Sequence, residues 1–302
     1  MKKIQKISFI VCTSILLTHF FLQTIDIHEK ERTDLIIFSF DRPMQLYALL
    51  ESIEMYISGI GDIRIIYRAS NMAYQKSYDT LQATFPKVMF IQQTSPPNDF
   101  KPLTMQSIYK SPHAYIMFAV DDMIVTDFVD LTHAVKALKK TNAYGFFLRL
   151  GKNIQYSYVW NRPIKLPNLY KIDNDTLAWD FNSGHFYWSY PNTVDMTIYN
   201  KDMIKKTFEC LSFTTPNSLE FYWNKKAKHV LHKKGLCYKT SKVINIPINL
   251  VQKEQRNRNL LSFSTTQLLE KFNKNFKINI TPFFKINNNS SHMAYDITFT
   301  KR

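Results

Sequence analysis

Ala114-Tyr115-Ile116-Met117-Phe118-Ala119-Val120-Asp121-Asp122 is the stretch on which the reading of this chain turns. Seven apolar residues in a row are too few for an isolated buried helix and suit a strand covered on both faces. The run stops abruptly at two adjacent carboxylates. Ligands of open α/β sheets bind beyond the carboxyl ends of the strands, so a central strand that stops at paired acids marks a candidate site. The same pair can equally start a turn or cap a helix.

Working outward, short apolar runs alternate with helical periods, the pattern of an α/β fold. Leu35-Ile36-Ile37-Phe38-Ser39-Phe40 reads as a first strand. Leu46, Leu49, Leu50, Ile53 and Ile57 recur at helical spacing after Pro43, which suits a helix start. Residues 63–67 and 88–91 read as strands, 72–84 as a helix, 128–140 as a helix and 144–150 as a strand. A strand over 196–199, helices over 201–211 and 218–231, a strand over 243–246 and a helix over 265–272 follow. Residues 151–193, rich in Tyr, Trp, Asn and Pro, read as a long binding loop. The Asn287-Asn288-Asn289-Ser290-Ser291 stretch reads as a mobile tail.

Composition narrows the function classes. The 302 residues are 45% hydrophobic and contain only 6 glycines, none in a G-x-G-x-x-G or G-x-x-x-x-G-K-[ST] loop. Dinucleotide-binding and Walker-type phosphate loops are thereby disfavoured. Cys12, Cys210 and Cys237 show no metal-site spacing and read as free thiols, the last two buried. The net charge of +15 is uneven, since residues 221–302 hold 16 basic and 3 acidic side chains. Such a cationic third suits an anionic partner such as phospholipid, acidic glycan, nucleotide diphosphate or nucleic acid, or else a solvated basic face.

Lys2, Lys3 and Lys6 precede an uncharged, largely apolar stretch from Ile7 to Ile25. At 1.5 Å per residue it spans about 28 Å as a helix, close to the thickness of a bilayer core. The basic flank would keep the N-terminus cytoplasmic. A single-pass N-terminal signal anchor is the expectation, with secretion after signal-peptide cleavage as the alternative. The chain thus divides into an anchor and short stalk over 1–32, a domain over 33–262, and a basic C-terminal helix and tail over 263–302.

Two motifs resemble a known family. Ile37-Phe38-Ser39-Phe40-Asp41-Arg42-Pro43 looks like its opening strand, R-P turn and helix, and Phe118-Ala119-Val120-Asp121-Asp122 is similar to its D-x-D element. The family is the glycosyltransferases of the GT-A, or nucleotide-diphospho-sugar transferase, fold, of the family 2-like type. Pro216-Asn217-Ser218-Leu219-Glu220 and Asn245-Ile246-Pro247-Ile248-Asn249 resemble it too, so that the likeness covers roughly residues 34–260. Met123 at the third position makes the acidic motif D-D-M.

The resemblance implies an α/β fold with one mixed sheet flanked by helices, a Rossmann-like nucleotide-binding half and an acceptor half. It implies a metal-dependent, inverting, hexosyl-type transfer from a nucleotide-sugar donor to a glycan or lipid-linked acceptor hydroxyl, with Mn²⁺ or Mg²⁺ as cofactor. By the same resemblance Phe40, Asp41, Arg42, Arg68, Ser70 and Asp121 lie at the nucleotide, Asp121 and Asp122 at the metal, and Trp179, Asp180 and Asn217 at the acceptor. An inverting transfer needs a carboxylate to take the acceptor proton, and Glu220 is the candidate, with Asp180 and Asp195 as alternates. Trp160, Trp179, Tyr187, Trp188 and Trp223 are candidates for an aromatic acceptor cleft, or else ordinary core. His185, His229 and His232 are candidates to complete a metal shell. Against the enzyme stands a non-catalytic protein that binds an anionic surface or nucleic acid through its basic third. No nucleic-acid motif is visible, and no nucleic-acid partner is expected. A sugar-nucleotide pyrophosphorylase ranks last, because the turn after Phe40 has no glycine.

Overall fold

The computed structural model describes residues 31–249, 251 and 263–302. Its centre is a nine-stranded mixed sheet. In chain order the strands are β1 (Thr33–Phe40), β2 (Ile60–Arg68), β3 (Met89–Gln92), β4 (Tyr115–Val120), β5 (Gly145–Phe147), β6 (Tyr170–Lys171), β7 (Thr176–Asp180), β8 (Thr197–Asn200) and β9 (Lys234–Tyr238). They lie in the order β6-β7-β9-β5-β8-β4-β1-β2-β3. The half from β4 through β1 and β2 to β3 is parallel. Strand β8 then runs antiparallel between β4 and β5. The other half closes with β9 parallel to β5, and β7 and β6 antiparallel beyond it.

Strand periodicity explains why the two quoted apolar runs are unbroken. Leu35 and Ile37 of β1, with Tyr115, Met117 and Ala119 of β4, pack into one core. Ile36 and Phe38, with Ile116 and Phe118, pack into a second core on the opposite face. Successive side chains of a strand point to opposite faces, so a sheet covered on both sides needs apolar residues at every position. Helices α1 (Pro43–Tyr56), α4 (Leu131–Thr141) and α7 (Thr265–Asn273) cover the first face, and α3 (Phe100–Lys110), α5 (Lys201–Cys210) and α6 (Pro216–Asn224) the second. Helix α2 (Met72–Thr84) lies beside α1 and α7.

Local signals set the helix starts. Pro43 occupies the first turn of α1. The Asn71 side chain accepts from the amides of Ala73 and Tyr74 to begin α2, and Asp130 begins α4 in the same way. Capping boxes of Thr215 with Ser218 and of Ser264 with Gln267 open α6 and α7. Each box satisfies helix-end amides that have no partner within the helix.

The structure corrects three sequence expectations. Residues 151–193 are not a bare loop: β7 joins the sheet, and Ile154, Ile164, Leu177, Trp179, Phe181 and Trp188 are buried in the second core. The Asn287–Ser291 stretch is no tail. Asn288 and Ser291 are 1% exposed and Ser290 is fully buried. The amides of Gln155 and Tyr156 donate to the carbonyl of Asn289, and the amide of Asn245 donates to that of Ser291. Their polarity is matched by buried partners rather than by water, which composition alone does not reveal. Finally, Cys210 is exposed, whereas Cys237 is a buried free thiol.

The C-terminal region is continuous with the rest, because Leu268, Phe272, Ile278, Ile280 and Phe283 share the first core. Part of its positive charge is used internally. Lys277 pairs with Glu51, Lys242 with Asp127, and Arg302 donates to the Phe272 carbonyl at the end of α7. No described helix is long and apolar enough to cross a membrane. The expected anchor over residues 7–25 lies outside the described residues.

Candidate functional site

The first cluster forms where β1 and β4 end side by side. Asp41 leaves β1 with a left-handed backbone (φ 53°), a conformation Asp tolerates better than most residues. Its Oδ1 accepts the Ser70 amide at 2.8 Å, which fixes the turn after β1 to the turn after β2. The sharp turn lays Arg42 over the strand ends. Arg42 Nη1 donates to Asp121 Oδ1 and to Asp122 Oδ2, each at 3.0 Å. Behind it, Arg42 Nε and Nη2 donate to the Asn249 side chain and carbonyl.

The two acids differ in what remains free. Asp121 is 3% exposed, and its Oδ2 accepts both the Ser39 hydroxyl and the Phe40 amide. Burial pushes its carboxyl up to about 6, Arg42 opposing and the like charge of Asp122 adding to the shift. Each Asp122 oxygen accepts one hydrogen bond, Oδ1 from Asn245 and Oδ2 from Arg42. A carboxylate oxygen has two lone pairs, so Asp122 keeps acceptor capacity that Asp121 Oδ2 lacks. Nearby, the Arg68 guanidinium stacks 4.6 Å from the centroid of the Phe40 ring.

A second acidic cluster lies on the β5, β8 and α6 side. Arg149 follows β5 and donates to Asp195 Oδ2 at 2.7 Å. Glu220, in the first turns of α6, accepts the Val194 amide at 3.1 Å. Burial first, then the like charge of Asp195, pushes the Glu220 carboxyl up to about 7, with Arg149 opposing. The Tyr190 hydroxyl bonds to Glu220, and its pKa is raised by burial and by that carboxylate. A carboxyl poised near neutrality is what general-base chemistry requires.

His292 joins the two clusters. The segment after Asn288 runs along Asn245, with the Met293 amide donating to the Asn245 carbonyl, and it delivers His292 between them. Its Nε2 is 3.9 Å from Asp195 Oδ2, and its ring stacks on Tyr187 at 5.8 Å. Burial lowers the His292 pKa, while Asp195 and Asp122 both act to raise it, so its ring lies in the field of both acidic groups. The Arg149 guanidinium also lies against Tyr187, 5.5 Å from the ring centroid.

Of the residues singled out from sequence, the structure brings together Phe40, Asp41, Arg42, Arg68, Ser70, Asp121 and Asp122. Glu220 and Asp195 share the second cluster. The acceptor expectations fare differently. Trp179 is fully buried, its ring filling the space that a Cβ on Gly235 would take at 2.4 Å and its Nε1 donating to the Trp188 carbonyl. Trp188 and Trp223 are buried as well, so these three indoles are core rather than cleft.

Asp180 pairs with Lys234 at the start of β9, in register with the beginning of β4 rather than its acidic end, and it accepts the Tyr170 hydroxyl. Asn217 sits partly exposed in the first turn of α6. Trp160 is 66% exposed, in the turn linking the short antiparallel pair Tyr156–Ser157 and Arg162–Pro163. His185, His229 and His232 are exposed, and it is His292 that neighbours the acids.

Sequence reasoning missed His292 and Arg149. A signal for each existed. Met293, Tyr295 and Ile297 recur at every second position just after His292, with Ala294 and Asp296 between them, the spacing of a half-buried extended segment, and all three pack against the core. Arg149 sits directly after Phe146-Phe147-Leu148, another charge at a strand end.

The fit to a divalent cation can be read from the same donors. Among the described residues no group of three or more His, Cys, Asp or Glu side chains is arranged to hold one. Mg²⁺ ordinarily uses one or two carboxylates and completes its shell with phosphate oxygens and water. Asp122, its side chain 13% accessible and its oxygens partly free, fits that role. Asp121 is committed to Ser39, Phe40 and Arg42.

No protein-family model matches the sequence. The chain is 25% identical over 231 residues to the bifunctional glycosyltransferase pgtA of Dictyostelium discoideum, matching 67% of this chain and 30% of that protein. It thus spans under a third of the relative's length. Among solved structures, Staphylococcus aureus TarS (residues 1–349) in complex with UDP covers 70% of this chain and 58% of its own, at 9% identity and a TM-score of 0.47. The same TarS fragment with UDP-GlcNAc gives 10% identity and a TM-score of 0.40, over 70% of this chain and 56% of that one. At those scores the structural likeness adds no weight. The sequence match is the stronger finding, and it is to a glycosyltransferase, the class that the turn at Asp41-Arg42-Pro43 and the acidic pair at the end of β4 resemble.

Proposed function

We propose that the protein transfers a sugar from a nucleotide-diphosphate donor to the hydroxyl of a glycan or lipid-linked acceptor, with inversion. The observation that carries this reading is the pairing of two unlike acidic clusters across His292. One lies at the ends of β1 and β4, where open sheets bind nucleotides. The other holds Glu220 with its carboxyl near 7.

In this reading Asp41 fixes the turn that forms the nucleotide-facing edge, and Phe40 and Arg68 offer a ring and a guanidinium to the base and phosphates. Asp122 would hold Mn²⁺ or Mg²⁺. When bound, such an ion supplies Lewis-acid stabilisation of the departing diphosphate. Glu220 accepts the proton of the acceptor hydroxyl as that oxygen attacks the anomeric carbon, and the sugar–phosphate bond breaks on the opposite face. Arg149 pairs with Asp195, and Tyr190 orients the Glu220 carboxyl. Residues 7–25 would attach the enzyme to a membrane, beside a lipid-linked or surface glycan acceptor.

The test is calorimetry of the full chain against UDP, GDP and CMP and their sugars, with and without Mn²⁺. Saturable binding of one nucleotide diphosphate, followed by release of that nucleotide from its sugar in the presence of an acceptor glycan, is the expected result. No binding to any of them would overturn the reading.

A further inference from the structure

Two adjacent carboxylates at a strand end need a countercharge. In this chain the countercharge is built in. One nitrogen, Arg42 Nη1, lies 3.0 Å from a carboxylate oxygen of Asp121 and 3.0 Å from one of Asp122. The guanidinium is also held from behind. Its Nε donates to Asn249 Oδ1 at 3.0 Å, and its Nη2 donates to the Asn249 carbonyl. Gln45 Nε2 donates to the same Asn249 Oδ1 at 3.2 Å, which keeps that acceptor in place. Arg42 is 7% exposed. It is therefore a fixed charge rather than a surface arm that solvent could draw away.

We infer that Arg42 competes with a divalent cation for Asp122, so that the cation binds feebly until a nucleotide diphosphate binds with it. A dication on Asp122 would sit within a few ångströms of a buried guanidinium that cannot withdraw, and like charges at that range repel strongly where water is scarce. The diphosphate of a donor carries enough negative charge to offset both. Cation and nucleotide then strengthen one another's binding by the same factor, as linkage requires. The identity of the co-ligand rests on the proposed function, whereas the competition itself concerns only Arg42, Asp122 and the ion.

The deciding experiment titrates the full chain with Mn²⁺ alone, following free Mn²⁺ by electron paramagnetic resonance. The wild type is expected to bind weakly, and Arg42→Gln to bind one Mn²⁺ at least ~10-fold more tightly, the scale of one removed repulsive contact. The gain should vanish in Arg42→Gln combined with Asp122→Asn. Equal affinity in wild type and Arg42→Gln, or a gain that survives Asp122→Asn, overturns the inference.

If circular dichroism shows Arg42→Gln to be unfolded, Asn249→Ala serves instead. It releases the guanidinium from behind and should raise Mn²⁺ affinity several-fold, and an unchanged affinity overturns the inference. Adding UDP separates the two claims. Tighter Mn²⁺ binding by the wild type supports the coupling, whereas an Arg42→Gln gain with no UDP effect leaves the competition standing and removes the nucleotide reading.

Discussion

The two acidic clusters have nearly the same ingredients, two carboxylates and one buried arginine, and different electrostatics. At the strand ends Arg42 divides a single nitrogen between Asp121 and Asp122 at equal distances, and the pair shares one countercharge. In the second cluster Arg149 commits to Asp195 at 2.7 Å and reaches Glu220 only through its longer-range field. Glu220 is left as the acid that burial and a like charge push up to about 7. Composition is therefore a poor guide to role. Where the arginine's nitrogens point decides which carboxylate is neutralised and which is free to take a proton.

The largest expected effect comes from breaking the second cluster at its arginine. Arg149→Met leaves Asp195 buried without its guanidinium partner, and should cost about 3–5 kcal/mol of stability in urea unfolding, the usual result of removing one partner of a buried pair. A loss under about 1 kcal/mol would show that solvent already reaches this pair. Glu220→Gln sharpens the contrast in the other direction. Turnover should fall at least ~100-fold while nucleotide affinity measured by calorimetry stays within about twofold. Wild-type turnover in this variant would remove Glu220 from the chemistry.

The pH dependence follows with a defined sign. Activity should fall as the pH drops below about 7, because a protonated Glu220 cannot accept the acceptor proton, and a turnover profile flat from pH 6 to 8 would count against it. Stability should move the opposite way. Because the folded carboxyl titrates above its ordinary value of 4.5, the folded state holds its proton longer than the unfolded state. The contribution of Glu220 to stability is then greatest below that ordinary value and is lost as the pH rises through about 7. Glu220→Gln should accordingly match or exceed the wild-type melting temperature at pH 8. The smallest effect belongs to the exposed indole: Trp160→Ala should change stability by less than about 0.5 kcal/mol, whereas Trp179→Ala in the core should cost about 3–5 kcal/mol. Equal costs would show that the indoles were sorted wrongly.

The strand-end cluster was legible in the sequence because its parts are short contiguous words. A seven-residue apolar run ending in Asp121-Asp122, and a strand turning at Asp41-Arg42-Pro43, each carry their own geometry. The sheet half they belong to, together with the starts of α1 and α2, followed from periodicity and caps. The other half was less legible. Lys234–Tyr238 is only five residues long and begins Lys-Gly, which gives no alternation to detect, yet it is an interior strand of the sheet. Trp179 and Trp188 stayed open between cleft and core in the sequence because aromatic residues suit both core and sugar-binding surfaces, and only burial separates the two.

What the sequence determined by itself, then, is the α/β alternation, the two apolar central strands, and the presence of carboxylates at one strand end, all of which depend on neighbours within a few residues. Tertiary structure alone decided the rest. It set Arg42 between Asp121 and Asp122, and it gathered Arg149, Asp195, Glu220 and His292 from four separate segments. A carboxyl's affinity for a proton depends on the water excluded from it and on the charges facing it. Both are supplied by residues far away in the chain, and no local pattern encodes them.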